Sequence, residues 1–311
     1  MTPVPSGLVR TILFASFAWR AAIRDAKIAR PESGSYGDFR KSCPKGRLDE
    51  STSGVEDGRR LSAALSGFPT QSVHRKFEVG PRQVLKVELH THTDRDPADR
   101  ITHTTRELLE HAASLRYDAL AVTLHDRYFD PAPHAAEAAR CGVLLLSGIE
   151  RTIQGKHVLL INFPADVSRV GSFDDVRALK ARTNGLVVAP HPFYPVASAL
   201  RGQLNACASL IDAVEVNAMY TRAIDFNRSA LAWARANRKP VVGNTDLHLL
   251  EQMGTTYSLI DAERDPDAIC EAIRDGRVEV RREALSIARA ARIFAKMVWG
   301  GIVGRYGPQR T

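Results

Sequence analysis

The chain has 311 residues, 44% hydrophobic and 25% charged, long enough for one large domain or two ordinary ones. Its cysteines, Cys43, Cys141, Cys207 and Cys270, are scattered and form no CxxC pair. That argues against a thiolate zinc site or a disulfide framework and makes a reducing cytoplasm the expected location. The net charge of +8 sits at the two ends: residues 1–86 and 277–311 are basic, and residues 87–276 hold more acid than base. An acidic centre suits a cation site better than a nucleic-acid groove, although the basic ends could touch nucleic acid or anionic lipid.

Residues 1–82 read as a poorly ordered basic extension. The stretch 30–67 is rich in Ser, Gly, Pro and charge, with too little apolar surface to offset ordering entropy. Residues 12–28 have the Ala, Arg and Lys content of one helix. No apolar run reaches the ~20 residues that span a bilayer. The apolar stretch 8–19 is interrupted by Arg10 and followed by Arg20 and Arg24, so no secretion signal is expected.

From Val84 onward, short β-branched runs alternate with Ala/Leu-rich stretches, the pattern of βαβ units and a parallel sheet. Strands are predicted over 84–89, 119–123, 143–147, 157–162, 186–189, 213–216, 240–243 and 256–260. Helices are predicted over 106–115, 133–140, 173–182, 226–236 and 266–275. The alternation recurs about seven times, which favours a closed α/β barrel over 83–283. An open doubly wound sheet is the alternative, but no GxGxxG loop is present. Residues 284–311 form a separate basic segment. Ile287, Ala291, Phe294 and Val298 recur at helical spacing with Arg and Lys between them, so an amphipathic helix is predicted, packed on the barrel or resting on an anionic membrane surface.

The chemistry is legible in the residues that close each strand. His90 and His92, then His125 and Asp126, Glu150, His191, Glu215 with Asn217, and Asp246 with His248 all stand at strand carboxyl ends. In a parallel barrel those ends share one rim, where active sites lie. Imidazoles and carboxylates converging there suit zinc, manganese or iron. His90 and His92, two apart along a strand, face one side. Asp246 and His248 repeat that spacing. Glu150 comes after an apolar run and would be costly to bury unpaired; bridging two cations, or pairing with Arg151 or Lys156, removes the cost. His191 stands in Ala-Pro-His-Pro, a stiffened loop. His157 opens an apolar strand and could equally be a core histidine. His103, His111 and His134 lack such placement and are expected on the surface.

Six segments then resemble one family: Val-Glu-Leu-His-Thr-His-Thr, Leu-Ala-Val-Thr-Leu-His-Asp, Ser-Gly-Ile-Glu, Lys-His-Val-Leu-Leu-Ile, Ala-Pro-His-Pro and Gly-Asn-Thr-Asp-Leu-His. In order and spacing they resemble the polymerase-and-histidinol-phosphatase (PHP) family. The resemblance implies a distorted (β/α)7 TIM-like barrel with two or three divalent ions. It places His90, His92 and Asp246 on one ion. Glu150 bridges to a second, which His157 and His191 also hold. His125 and His248 take a third, completed by an Asp after the His-Thr-His-Thr run. Here the sequence departs: Asp94-Arg-Asp-Pro replaces the usual Ser-Asp-Gly, so Asp96 or Asp94 would serve, and Leu124 replaces an Asp.

The expected activity is hydrolysis of a phosphate ester by a metal-activated hydroxide. The substrate would be a small phosphorylated metabolite, a nucleotide or an oligonucleotide end. Asp126 or an unligated His125 would protonate the leaving oxygen, and Arg100, Arg127 and Arg151 are candidates to bind phosphate. Two other classes share parts of the pattern. Metal amidohydrolases also begin with His-x-His, but usually carry a bridging lysine. A catalytically silent metal-binding or regulatory module would fit Leu124 and the missing Ser-Asp-Gly.

Overall fold

The computed structural model describes residues 83–304, with side chains through residue 298. The expected extension over 1–82 and its helix lie outside the described residues.

Among the described residues, ten strands form two five-stranded sheets. The first has the order β10-β9-β1-β2-β3 and contains β1 (Gln83–Glu88), β2 (Ala119–Ala121), β3 (Leu144–Leu146), β9 (Thr256–Ala262) and β10 (Val278–Arg282). The second runs β4 (Gly148–Ile153), β5 (Lys156–Ile161), β6 (Leu186–Ala189), β7 (Ala213–Asn217) and β8 (Val241–Asn244). The three pairs β1–β2, β2–β3 and β6–β7 are parallel, as is β7–β8. These are the strands that read as apolar runs, because both of their faces are covered. Antiparallel pairing joins β4 to β5, β5 to β6, β9 to β1 and β10 to β9.

The expected seven-unit closed barrel is therefore not what the ladders form. A barrel of βα units needs parallel pairing throughout. The short turn between β4 and β5 allows only a hairpin, and β9 pairs antiparallel with both β1 and β10. Two elements in this departure, β4 and β10, are not among the strands predicted from sequence. Glu150 thus sits inside a strand rather than after one.

Isolated contacts, not ladders, join the sheets. On one side Glu150 N donates to Leu124 O (3.1 Å) and Asp126 N to Glu150 O (2.9 Å). On the other, Leu89 N donates to Asn244 Oδ1 (3.1 Å), and the Ser258 hydroxyl serves both Gly243 N and Gly243 O. A glycine stands at each seam. A Cβ on Gly148 would lie 2.8 Å from Val122 O, and one on Gly243 would lie 2.9 Å from Tyr257 O. Backbones approach so closely there that no side chain fits.

Helices cover the outer faces: α1 (Thr105–Ser114), α2 (Ala135–Cys141), α3 (Phe173–Lys180), the short α4 (Gln203–Ala206), α5 (Asn227–Ala236), α6 (Pro266–Arg274) and α7 (Ile287–Gly304). Their starts match sequence signals. Thr104 with Glu107 and Ser172 with Asp175 form reciprocal capping boxes, and Asp265 caps α6 ahead of Pro266. Between the sheets lies an apolar layer including Leu85, Val87, Leu159, Ile161, Val188 and Ile260, all fully buried. That layer holds the strands rigid below the ends where polar residues gather. No helix among the described residues is long and apolar enough to cross a membrane.

Candidate metal centre

All nine predicted ligands, His90, His92, Asp96, His125, Glu150, His157, His191, Asp246 and His248, meet at one end of the two sheets. Glu150 is the hub. It is 1% exposed, and its two oxygens divide five imidazoles. His90 Nε2, His92 Nε2 and His125 Nε2 lie 3.2, 3.4 and 3.2 Å from Oε2. His157 Nδ1 and His191 Nε2 lie 2.6 and 3.3 Å from Oε1. Asp246 Oδ1 faces His90 Nε2, His92 Nε2 and His248 Nδ1 at 3.4, 3.5 and 3.5 Å.

Burial alone would raise the Glu150 carboxyl, but the surrounding imidazoles outweigh it and hold it well below the usual range. For His90 the balance is reciprocal: burial would lower it, and Asp246, Glu215 and Glu150 push it well up. In the absence of cations, protons must therefore neutralise this acidic cluster. Divalent ions can replace them on the same nitrogens.

The donor set fits such ions. Ligand atoms of His90, His92, Glu150 and Asp246 all lie within 4.8 Å of one another, as do those of His92, Asp96 and His125, and those of His125, Glu150 and His157. His92 Nε2 is buried, points into the first of these groups and has no hydrogen-bond partner. A buried polar atom left so is costly unless something else meets it. The cluster thus fits divalent metal binding, with nitrogen and oxygen donors of the kind borderline metals accept.

Three site residues hold positive φ: Asp126 at +50°, His191 at +29° and Asp246 at +52°. Such backbone costs on the order of 1–3 kcal/mol per residue and persists where surroundings over-determine it. For Asp246 part of that hold is visible, since its neighbour Leu247 exchanges backbone hydrogen bonds with His90 O and His92 N, at 3.1 Å each.

Several residues depart from their expected places. Asp126 is at the rim, but its carboxylate turns away from the cluster and accepts from Arg151 Nη1 (2.8 Å) and Thr152 N (2.7 Å). The structure does not bring it to the ligand atoms. Its left-handed backbone, placed just after His125, is what turns the side chain outward. Arg127 is exposed and donates to Arg95 O, and Arg151 also donates to Val170 O. Both guanidinium groups are thus engaged at the rim rather than at the ligand atoms. Arg100 is exposed on the loop after β1. Asp94 is exposed, while Asp96 Oδ2 lies 2.8 Å from His92 Nδ1 and 3.0 Å from His125 Nδ1. His103 was expected on the surface. It is 4% exposed, with Nε2 2.8 Å from His92 O.

Two carboxylates, Glu88 and Asp99, were not singled out from sequence, and Glu215, named there at its strand end, was not among the predicted ligands. Glu215, fully buried, lies 2.8 Å from His90 Nδ1 and accepts from His191 N and Asn244 Nδ2. A carboxylate behind a ligand histidine fixes its ring and tautomer. Glu88 accepts from His90 N, Thr245 N and Thr245 Oγ1, tying the strand that presents His90 to the one that presents Asp246. Asp99 Oδ2 lies 3.1 Å from His248 Nε2. A period of two carries the signal for Glu88, which shares a strand face with His90 and His92. No pattern marks Asp99, because a loop fold brings it there. Glu215→Gln keeps the shape and removes the charge behind His90. It is expected to weaken Mn2+ binding by roughly 10–100-fold, read by calorimetric titration; unchanged affinity would remove Glu215 from the site.

Known proteins bear on this arrangement at one point of sequence. A family model described as PHP-associated matches residues 225–278. That segment runs from the start of α5 to the start of β10 and contains Asp246 and His248. Over that segment the chain is similar to a PHP-associated family. No curated protein matches it. Among solved structures, it is similar to a two-domain Bacteroides vulgatus protein containing a predicted PHP-like metal-dependent phosphoesterase. The identity there is 17%, over 70% of this chain and 71% of that one, with a TM-score of 0.49. It is similar also to PsfC of Pseudomonas syringae, at 16% over 71% and 99% with a TM-score of 0.49. A third likeness is to a lesion-specific endonuclease of Pyrococcus furiosus, at 13% over 68% and 66% with a TM-score of 0.45. Across such distances neither activity nor substrate transfers to this chain.

Proposed function

We propose that this protein is a PHP-type metal-dependent hydrolase of phosphate esters, working at the end of a barrel-like pair of sheets. The observation that carries the proposal is Glu150, buried and shared between two groups of imidazoles through its two oxygens. That division suits a carboxylate that bridges two cations. In this reading His90, His92 and Asp246 would hold one ion and His157 and His191 another. Asp96, His125, His248 and Asp99 form a third, more open position. Manganese, zinc or iron would suit the donors.

Ions bound there supply a water acidified toward neutrality and positive charge for the phosphoryl oxygens. The chain's own residues do the rest. Glu215 holds His90 by its rear nitrogen. Arg151, pinned by Asp126 and by Val170 O, keeps a planar cation at the rim, where an anionic ester would arrive. Asp126 therefore acts by steering Arg151. When the third position is empty, His125, 13% exposed at the mouth, is the better placed group to give a proton to the leaving oxygen. Small phosphorylated metabolites, nucleotides and oligonucleotide ends all present the chemistry this mouth would take.

An amidohydrolase reading is less favoured, since the hub is a glutamate and no lysine contacts the nine ligands among the described residues. Elemental analysis of purified protein, then parallel phosphoester and amide panels, separates the two. Metal at two or more ions per chain with phosphoester turnover is expected. Turnover confined to amides, or metal with no turnover on either panel, would end the phosphoesterase proposal.

A further inference from the structure

We propose that helix α7 braces the turn that presents Asp246 and His248, with Glu251 as the positioning residue through which it acts.

The turn has an inner and an outer hold. Inside, the Gln252 side chain accepts from His248 N (2.8 Å) and Leu249 N (2.7 Å) and donates to Asp246 O (3.4 Å). Outside, its neighbour Glu251 faces α7. Lys296 Nζ lies 2.8 Å from Glu251 Oε1, Arg292 Nη2 lies 3.8 Å from Oε2, and Arg289 Nη2 donates to the Glu251 carbonyl at 2.8 Å. Three cations, spaced at 289, 292 and 296 along one helical face, therefore close on one residue. Leu249 packs beside them, against the small apolar cluster of Leu285, Ala290 and Ile293.

Asp246 needs such holding. Its φ of +52° is a conformation that L residues leave unless neighbours fix them. Leu247 is tied to β1, His248 meets Asp99 and Leu250 packs on the core, while Leu249 and Glu251 meet α7. Releasing α7 would free the half of the turn that carries His248. The basic residues of the tail, predicted from sequence to pack on the barrel or rest on an anionic membrane, are thus partly committed to Glu251.

The consequence for ions rests on the metal-centre reading, whereas the consequence for the turn does not. Both are measurable on the full-length protein. In metal-free protein, Glu251→Lys is expected to speed hydrogen exchange at the His248 and Leu249 amides about tenfold, with the amides of β5 unchanged. The charge swap Glu251→Lys with Lys296→Glu should restore slow exchange. A residue that merely adds global stability would speed exchange everywhere and would gain nothing from the swap. Unchanged exchange at His248 and Leu249 in Glu251→Lys overturns the brace. On the same proteins, Mn2+ titration should show affinity lowered about tenfold in Glu251→Lys and recovered in the swap. Equal affinity in wild type and Glu251→Lys overturns the link from brace to ions. Absence of Mn2+ binding in the wild type overturns the metal reading, and the exchange result still decides the brace.

Discussion

Glu150→Gln is expected to lower phosphoester turnover by roughly two to three orders of magnitude or more, on the scale of removing a preorganised electrostatic contact. The substitution is isosteric, so the packing around β4 survives. What changes is charge and donor character. One oxygen becomes an NH2 group, which cannot accept from an imidazole or bind a cation. Oxygen Oε1 now faces His157 and His191, and Oε2 faces His90, His92 and His125. Whichever position the nitrogen takes, one group of histidines loses its shared carboxylate. At least one ion per chain should be lost by elemental analysis, while circular dichroism stays unchanged. A variant with full metal content and wild-type kcat/KM would show that Glu150 bridges nothing.

Removing metal should leave a protein whose stability falls as pH rises. Burial pushes the Glu88 carboxyl up to about 8, against the contacts from Thr245 and His90 N that oppose it. Burial would lower His248, but Asp99 and Asp246 outweigh it and push the imidazole to about 9. Each group keeps in the folded state a proton that the unfolded chain releases, Glu88 from pH 4.5 to about 8 and His248 from pH 6.5 to about 9. When the native state binds the more protons, stability declines with rising pH.

Asp96, Glu150 and Asp246 work the other way. Burial would raise them, but the histidines hold them below the usual range, so their stabilisation is lost in acid. The metal-free optimum therefore lies near pH 5–6. In EDTA, the melting temperature is expected to drop by roughly 5 °C or more between pH 6 and 9. Saturating Mn2+ should flatten that decline, because the ion takes the place of the protons, and its apparent affinity should fall toward pH 5.5. A metal-free melting temperature that rises steadily to pH 9 would contradict this charge balance.

How much of this could be read in advance differs by kind of residue. The alternation of apolar runs with amphipathic stretches places β1, β2, β3, β6, β7 and β8 and most helices within a few residues, because buried parallel strands and one-sided helices write their burial into sequence. Strand β10, Val278–Arg282, leaves little trace in the pattern because its burial is slight and its residues largely charged. The hairpin of β4 and β5 is half visible, since a polar strand facing a site lacks the apolar alternation that marks one. Glu215 is visible at a strand end, yet its role depends on its distance from His90, 125 residues away in the chain. His103, with no strand before it, gives no sign that it would support the His92 carbonyl. Asp126 gives a misleading sign: it comes after the right strand, but one positive φ turns it toward Arg151.

By itself the sequence determined which donors exist and that they stand at strand ends, because strand ends and a period of two are local properties of the chain. Only the tertiary structure decided how those donors are shared. Two antiparallel excursions, two glycine-lined seams and a loop carrying Asp96 and Asp99 set which oxygen faces which imidazole. Those distances arise from long-range packing of backbones that meet only after folding, and no local pattern encodes them.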